Sequence, residues 1–463
     1  MTDNPENLNA IEQLIIGFSN LAWGTPLLIL LLGGGLFFLL YSRLLPFKYI
    51  GHAIQILRGK YDNPDEPGQI NHYQALSTAL AATVGMGNVS GVALAITMGG
   101  PGAIFWMWIS ALLGVTTKYF TCTLAVMFRG KDSQGVLQGG PMYVIVEGLG
   151  KNWRPLALFF SFLGMIGVSP MFQANQLTQV IRDVVLIPNQ VEAGFASNLI
   201  TGLLIALFVG LVIFGGIKRI GKVTGRVVPI MVLLYVAAVL LILFTNAEKI
   251  IPSFQLIFYD AFHADAILGG SVGAIIIAGV RRAAFSNEAG IGTAPMAHGA
   301  AKTNEPVREG LVAMLGPIVD TIIVCTMTAL ALIITGVWNQ GTSDGITLTA
   351  DAFEIALPGF GAYLLTICVA VFAVSTMLSF PYYGTKCFSF LFGAKRSYIY
   401  KWLYIIAIPF GSTAALGVTV SIFDGAYALM AFPTMISAIL LAPKVMKASK
   451  KYFQSVKAAK SNP

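Results

Sequence analysis

Three stretches of this 463-residue chain place polar or conformationally free residues inside otherwise apolar runs. The first, ALSTALAATVGMGNVSGVALAIT, has Gly85, Gly87, Asn88 and Gly91 at its centre. The second, LGGSVGAIIIAGVRRAAFSNEAGIGTAPMAHGAA, holds Arg281, Arg282, Ser286, Asn287 and Glu288 between two apolar halves. The third sets Ser375 and Thr376 side by side in CVAVFAVSTMLSF. Glycine costs up to about 1 kcal/mol within a helix, and unpaired backbone in lipid costs several kcal/mol per group. The first two stretches therefore predict helices that unwind near mid-membrane, buried in protein or lining a cavity. Tight packing through small residues accounts for Ala79, Ala81 and Ala82, but not for Asn88 among paired glycines.

Such a break has its own chemistry. One half-helix begins with free N–H groups that favour a carboxylate, and the other ends with free carbonyls that suit a hard cation such as Na⁺. A cation needs further oxygens, and the Ser375 and Thr376 hydroxyls are candidates. Their alternative role is to bond back to the preceding turn. Asp320, about ten residues into an apolar run, either couples a proton or bonds to Thr321 or a helix end. For Glu288 a structural pairing with Arg281 or Arg282 is expected, because a lone buried charge is costly. Trp106 and Trp108 read as packing residues.

The elements that position these residues are membrane helices. Hydrophobic residues make up 56% of the chain and charged residues only 11%, where a soluble domain carries roughly a quarter. That excludes a soluble enzyme, a disordered regulator and a nucleic-acid binder, despite the +8 net charge. Helices of about 20 apolar residues cross a bilayer. Eleven candidates lie near 22–44, 74–98, 102–128, 155–184, 196–216, 225–246, 268–299, 310–336, 361–392, 399–421 and 424–443. The expected class is an all-α polytopic membrane protein forming one transmembrane domain. The two broken spans are five apart, so 22–44 is an extra leading helix, 74–246 a first five-helix repeat and 268–443 an inverted second one. Residues 444–463 form a basic tail.

With that tail on the cytoplasmic side, 24 of the 29 Lys and Arg residues fall in inside segments. This predicts a cell-membrane protein with its N-terminus outside and C-terminus in the cytoplasm. No basic residue precedes the first span, so that span is expected to be retained rather than cleaved as a signal. Residues 46–60 read as a helix on the inner membrane surface and 337–360 as an outer loop. Cys122, Cys325, Cys368 and Cys387 have no metal spacing and read as reduced packing thiols; His52, His72, His263 and His298 form no metal motif. TVGMGN lacks the repeated copies of a potassium filter, and GMGNVSG lacks the strand that precedes a dinucleotide loop. No nucleophile–base or metal set points to an enzyme.

At ALAATVGMGNVSGVA, GGPGAIFWMW, TKYF, GGPMY, FSNEAGIGTAPMAH and VDTIIVCTMTAL the chain resembles the alanine/glycine:cation symporter family. The resemblance implies a leucine-transporter (LeuT) type fold with one extra helix and Na⁺-coupled uptake of small neutral amino acids, chiefly alanine and glycine. It implies a substrate site at Gly85, Met86, Gly87, Asn88 and Gln173, closed by Phe285, Ser286 and Asn287. It implies sodium ligands from the carbonyls of Ala81, Val84 and Phe372 and the hydroxyls of Ser375 and Thr376. The chain departs from the family pattern at Met86, where Thr is common, at Thr121, which removes a partner of Lys118, and at Phe380-Pro381, where Trp-Tyr is usual. The alternatives are a proton-coupled permease of related fold and a sodium symporter for another neutral amino acid such as glutamine.

Overall fold

A computed structural model describes residues 10–263, 272–341, 345–414 and 416–461. Most of them are helical, with one two-stranded hairpin pairing Gly130–Lys131 with Leu137–Gln138. Among the described residues, eight helices are long and apolar enough to cross a membrane, and a bent pair makes a ninth. That is fewer than the eleven expected. The difference lies at 268–299 and 399–421, represented by Val272–Asn287 and Ser397–Thr413, of 16 and 17 residues. Residues 268–271 of the first lie outside the described residues. The outward faces are those of a membrane protein: Leu203, Leu204, Leu207, Phe208 and Leu211 of Phe195–Ile213 are exposed. With lipid around them they lose no contact with an apolar surrounding.

The first broken span starts at His72–Thr83. Asn71 caps it by accepting from the Gln74 N–H, and the Gln74 side chain accepts from the Asn71 N–H in return. It stops because Val84 turns extended (φ −74°, ψ 93°), and Met86–Gly99 resumes at an angle of 41°. Gly100 ends the second half in the left-handed region (φ 70°), and the Gly102 N–H donates to Asp260 of the surface helix Ile250–Asp260 at 2.7 Å. Burial raises the Asp260 carboxyl above its ordinary affinity for protons, opposed by that N–H.

The second break separates Val272–Asn287 from Thr293–His298. Glu288, Gly290 and Gly292 all take positive φ (55°, 90° and 112°), a reversal that ends the helix over a few residues. At Gly292 no side chain fits: a Cβ would lie 2.4 Å from the Thr434 hydroxyl.

Two segments pack more closely on the protein than the sequence reading gave. Residues 46–60 bury one face against protein. His52, Ala53 and Ile56 of Ile50–Leu57 are buried, Tyr49 stacks on Phe453 at 3.7 Å, and His52 contacts the Tyr452 hydroxyl at 2.8 Å. Their partner is the last helix, Ala431–Ser461, which carries the basic tail as a continuous helix. The stretch 337–360 is not an open loop. Gly345–Ala356 is a helix that buries Ile346, Leu348, Ala352 and Phe353. Its charged residues misled the reading, because they mark one face and the apolar residues between them mark the other.

Candidate functional site

A small cavity opens at the first break. Gly85, Met86 and Gly87 form its floor, Gln173 one side, and Phe172, Phe285, Phe380 and Tyr427 an aromatic wall. The rings meet in sequence: Phe172 to Phe285 at 5.9 Å, Phe285 to Tyr427 at 6.1 Å, Tyr427 to Phe380 at 6.5 Å. The Gln173 side-chain oxygen is buried without a partner among the described residues. An orphan acceptor of this kind costs about 1–3 kcal/mol unless something fills its place.

Five of the eight expected substrate residues therefore line the cavity: Gly85, Met86, Gly87, Gln173 and Phe285. Asn88, Ser286 and Asn287 do not. Asn88 is fully buried behind the break. Its side-chain oxygen accepts from the Gly85 N–H at 2.8 Å, and its NH₂ reaches the Ser286 hydroxyl (3.1 Å) and the Asp320 carboxylate (2.8 Å). Ser286 donates to Asp320 at 2.7 Å, and Asn287 to the Thr321 hydroxyl at 3.1 Å. These side chains join the two breaks from behind, satisfying backbone that unwinding left unpaired. Asp320 is the centre of that network and also accepts from Thr321 at 2.8 Å, so its expected bond to Thr321 is present. It sits on a π-helical stretch, Ile318–Cys325, whose wider turn is a common device where a helix must place polar groups inward.

Glu288 corrects the expectation of an arginine partner. It accepts from the Thr293 hydroxyl and faces the cavity. The arginine partner is Asp424, which accepts from Arg281 at 3.4 Å and from the Ser19 hydroxyl at 3.1 Å. Arg281 also stacks over Trp23, with 5.6 Å to the ring centre. The pairing failed in the sequence because proximity along a helix is a poor guide once the helix reverses. Asp424 and the Ser19 helix, Ala10–Ala22, come from opposite ends of the chain. Ser169, Phe172, Phe423, Asp424 and Tyr427 line the cavity and were not singled out; ordinary aromatic and hydroxyl residues in apolar spans carry no signal.

Four of the five oxygens expected to hold sodium lie together beside the cavity. The Ser375 hydroxyl lies 2.8 Å from the Phe372 carbonyl and 3.4 Å from the Ala81 carbonyl, and the Thr376 hydroxyl 3.2 Å from Phe372. Each hydroxyl bonds back along its own helix, Gly361–Phe392, as the second reading of the pair expected, and Ser375 also faces the broken span. A Cβ on Gly85 would lie 2.6 Å from the Thr376 hydroxyl, so glycine is what lets the two elements meet. Val84 is fully buried at the end of the same half-helix. The Leu80 carbonyl is taken by the Val84 N–H, whereas Ala81 is past the last intrahelical acceptor and faces the hydroxyl pair instead.

Lys118 is buried in Ala103–Met127. Thr121, which stands where an acid was expected, bonds back to the Thr117 carbonyl at 2.9 Å. Trp106 and Trp108 each use their N–H, on the Ala261 carbonyl (3.2 Å) and the Thr326 hydroxyl (2.8 Å), so they lock surface elements to the core as well as packing. The four cysteines are free and buried.

Two broken helices crossing at a polar centre, a half-open cavity at the first break and a layer of neutral oxygens beside it define a multi-pass secondary transporter of the LeuT type. The chain resembles the solved structure of MhsT in complex with L-phenylalanine, with a TM-score of 0.56, at 14% identity, over 82% of this chain and 98% of that one. More particularly, the chain belongs to the sodium:alanine symporter family, whose model matches residues 8–463. It is 41% identical to an uncharacterized transporter of Haemophilus influenzae, covering 96% of this chain and 97% of the relative. It is 40% identical to the sodium/alanine symporter AgcS of Methanococcus maripaludis, over 95% and 97%. It is 32% identical to the probable sodium/glutamine symporter GlnT of Bacillus subtilis, over 98% and 93%. These are transporters and not enzymes, and the chain is an amino-acid transporter of the same family.

Proposed function

We propose that this chain imports a small neutral amino acid, alanine or glycine, together with Na⁺ by alternating access. The observation that carries the reading is the division of labour at the first break. The half-helix ending at Thr83 turns its free carbonyl side toward Ser375 and Thr376, while the half-helix beginning at Met86 turns its N–H end toward the cavity. Sodium is held by the Ala81, Val84 and Phe372 carbonyls with the two hydroxyls. All five oxygens are neutral, which suits a monovalent cation better than a divalent one. The substrate carboxylate meets the Gly85–Gly87 backbone, Gln173 bonds the polar end, and the aromatic wall leaves room for a small side chain.

Thr376 touches both the cavity and the cation oxygens, which gives a direct reason why the two cargoes bind together. The Arg281–Asp424 pair at the cavity edge is the outer closure. Eleven spans, arranged as a leading helix and two five-helix repeats, with the N-terminus outside and the C-terminus in the cytoplasm, complete the proposal.

Reconstitution in liposomes tests it, with radiolabelled L-alanine uptake measured under an inward gradient of Na⁺, of H⁺ or of neither. Uptake under Na⁺ alone, lost when Ser375→Ala and Thr376→Ala are combined, is the expected result. Uptake under H⁺ alone transfers the coupling role to Glu288 and Asp320. A third outcome, Na⁺-driven uptake of another amino acid that alanine fails to compete with, keeps the sodium site and replaces the substrate.

A further inference from the structure

A groove away from the cavity lies between two helices that follow one another, Phe195–Ile213 and Gly216–Thr245. Arg219, Lys222 and Arg226 line it, with Leu211, Val223 and Val227 in its apolar walls. The three cations stand at i, i+3 and i+7, so one helix face carries them all. No Asp or Glu occurs in residues 193–247, and none of the three cations forms an ion pair among the described residues. Lys222 and Arg226 are exposed and make no hydrogen bond there either. Arg219 is held in place. Its guanidinium donates to the Leu211 carbonyl at 2.8 Å, in the last turn of the preceding helix. It lies over the connecting turn, where a Cβ on Gly215 would come 2.4 Å from the Arg219 side chain.

The depth of the groove follows from helix length. Gly216–Thr245 has 30 residues, or about 45 Å at 1.5 Å each. The hydrocarbon core is about 30 Å thick, and residues 227–245 carry no charge. The first turns of the helix, with the three cations, therefore project into the headgroup layer. Beyond them toward the core the exposed side chains turn apolar, at Leu207, Ile230 and Leu233. The Tyr73 hydroxyl donates to the Gly225 carbonyl at 2.8 Å, which places the groove at the end of the molecule where the first broken span begins.

We propose that this groove binds the headgroup phosphate of an anionic phospholipid, whose acyl chains run down the exposed apolar side chains beside it. Basic residues at the end of a span also set topology, but topology asks only for charge. Here the charges share one face, lack acidic partners and stand over apolar walls, which is the pattern of a lipid headgroup site between helices. Elsewhere on this side Arg129, Lys302 and Lys386 spend their charges on backbone carbonyls. The opposite face of the same helix supports the first broken span: a Cβ on Gly221 would lie 3.3 Å from Ile70, and the Thr224 and Thr78 hydroxyls are 3.3 Å apart. A bound lipid thus tethers to the bilayer the helix on which His72–Thr83 rests.

The full-length protein in a neutral detergent is titrated with dioleoylphosphatidylglycerol, and bound lipids are counted by native mass spectrometry. Dioleoylphosphatidylcholine serves as the neutral lipid and glycerol 3-phosphate as the headgroup without chains. The variants are Lys222→Gln with Arg226→Gln, and, as a control for charge alone, Lys447→Gln, Lys450→Gln and Lys451→Gln on the basic tail. Each basic residue at an anionic surface strengthens binding about fivefold. The groove variant should therefore bind the anionic lipid about tenfold or more weakly and the neutral lipid as before. The tail variant should lose less than about twofold in this assay, where no charged bilayer is present. Equal losses in both variants, or no loss in the groove variant, would overturn the site. Displacement of the lipid by glycerol 3-phosphate at matching concentration would also overturn it, leaving an anion site with no use for acyl chains. Both substituted side chains of the groove are exposed, so thermal melting should be unchanged. Binding is read without alanine or Na⁺, so failure of the transport reading and failure of the lipid site are told apart.

Discussion

At the residue scale, the cavity holds a polar atom that no described residue satisfies. The Gln173 oxygen is buried, lies at the cavity and has no partner among the described residues. Replacing it by Leu keeps the volume and removes the acceptor. The expected result is a rise of about tenfold in the KM for alanine, from one lost hydrogen bond of roughly 1–1.5 kcal/mol, with thermal stability unchanged or higher. Uptake kinetics beside a melting curve check both halves. Asn88 behaves oppositely. It is as polar as Gln173 and lies in a more telling motif, yet all its bonds are to protein. Asn88→Ala takes one of three donors from the Asp320 carboxylate and strands the Gly85 N–H, so it should lower stability by about 1–3 kcal/mol, read in thermal melting with or without alanine. The sequence cannot separate these roles. Both residues are buried amides in apolar spans, and only the fold decides which one meets a cavity.

Elements set the scale at which the sequence was most legible. Paired glycines around Asn88 and the FSNEAGIG stretch announced two breaks, and both spans unwind there, at Val84–Gly85 and at Glu288–Gly292. Backbone physics is local, so its signature is local too. What was not legible is contact between elements distant in sequence: the Glu288 partner, the Arg281–Asp424 pair, and the packing of Ile50–Leu57 on the last helix. The approach of the first break to Gly361–Phe392 makes its own prediction. Gly85 keeps a negative φ (−157°), and a side chain there meets a close contact. Gly85→Ala pushes a methyl against the Thr376 hydroxyl. It should cost about 1–3 kcal/mol of stability and abolish Na⁺-stimulated alanine binding, checked by binding with and without Na⁺.

Over the whole molecule, composition and charge bias fixed the class, while the number of spans was harder to count. An apolar window cannot tell a spanning helix from a buried one, and the broken spans are short because polar breaks divide them. The distribution of Lys and Arg is partly topological and partly structural. Lys386 and Arg129 are bonded to backbone carbonyls and act as struts on the basic face, where residues 67–70 and 299–303 also pair. The proposed orientation predicts that an impermeant thiol reagent labels Gln190→Cys on intact cells and Lys395→Cys only after permeabilisation. The reverse pattern would invert the topology.

The most direct test of the central claim is to follow two labels in one vesicle preparation, radiolabelled sodium and radiolabelled alanine. If Na⁺ and amino acid share the first break as described, each accelerates the entry of the other, and Thr376→Ala uncouples the two. Alanine entry that moves no sodium, or sodium entry indifferent to alanine, would contradict the account.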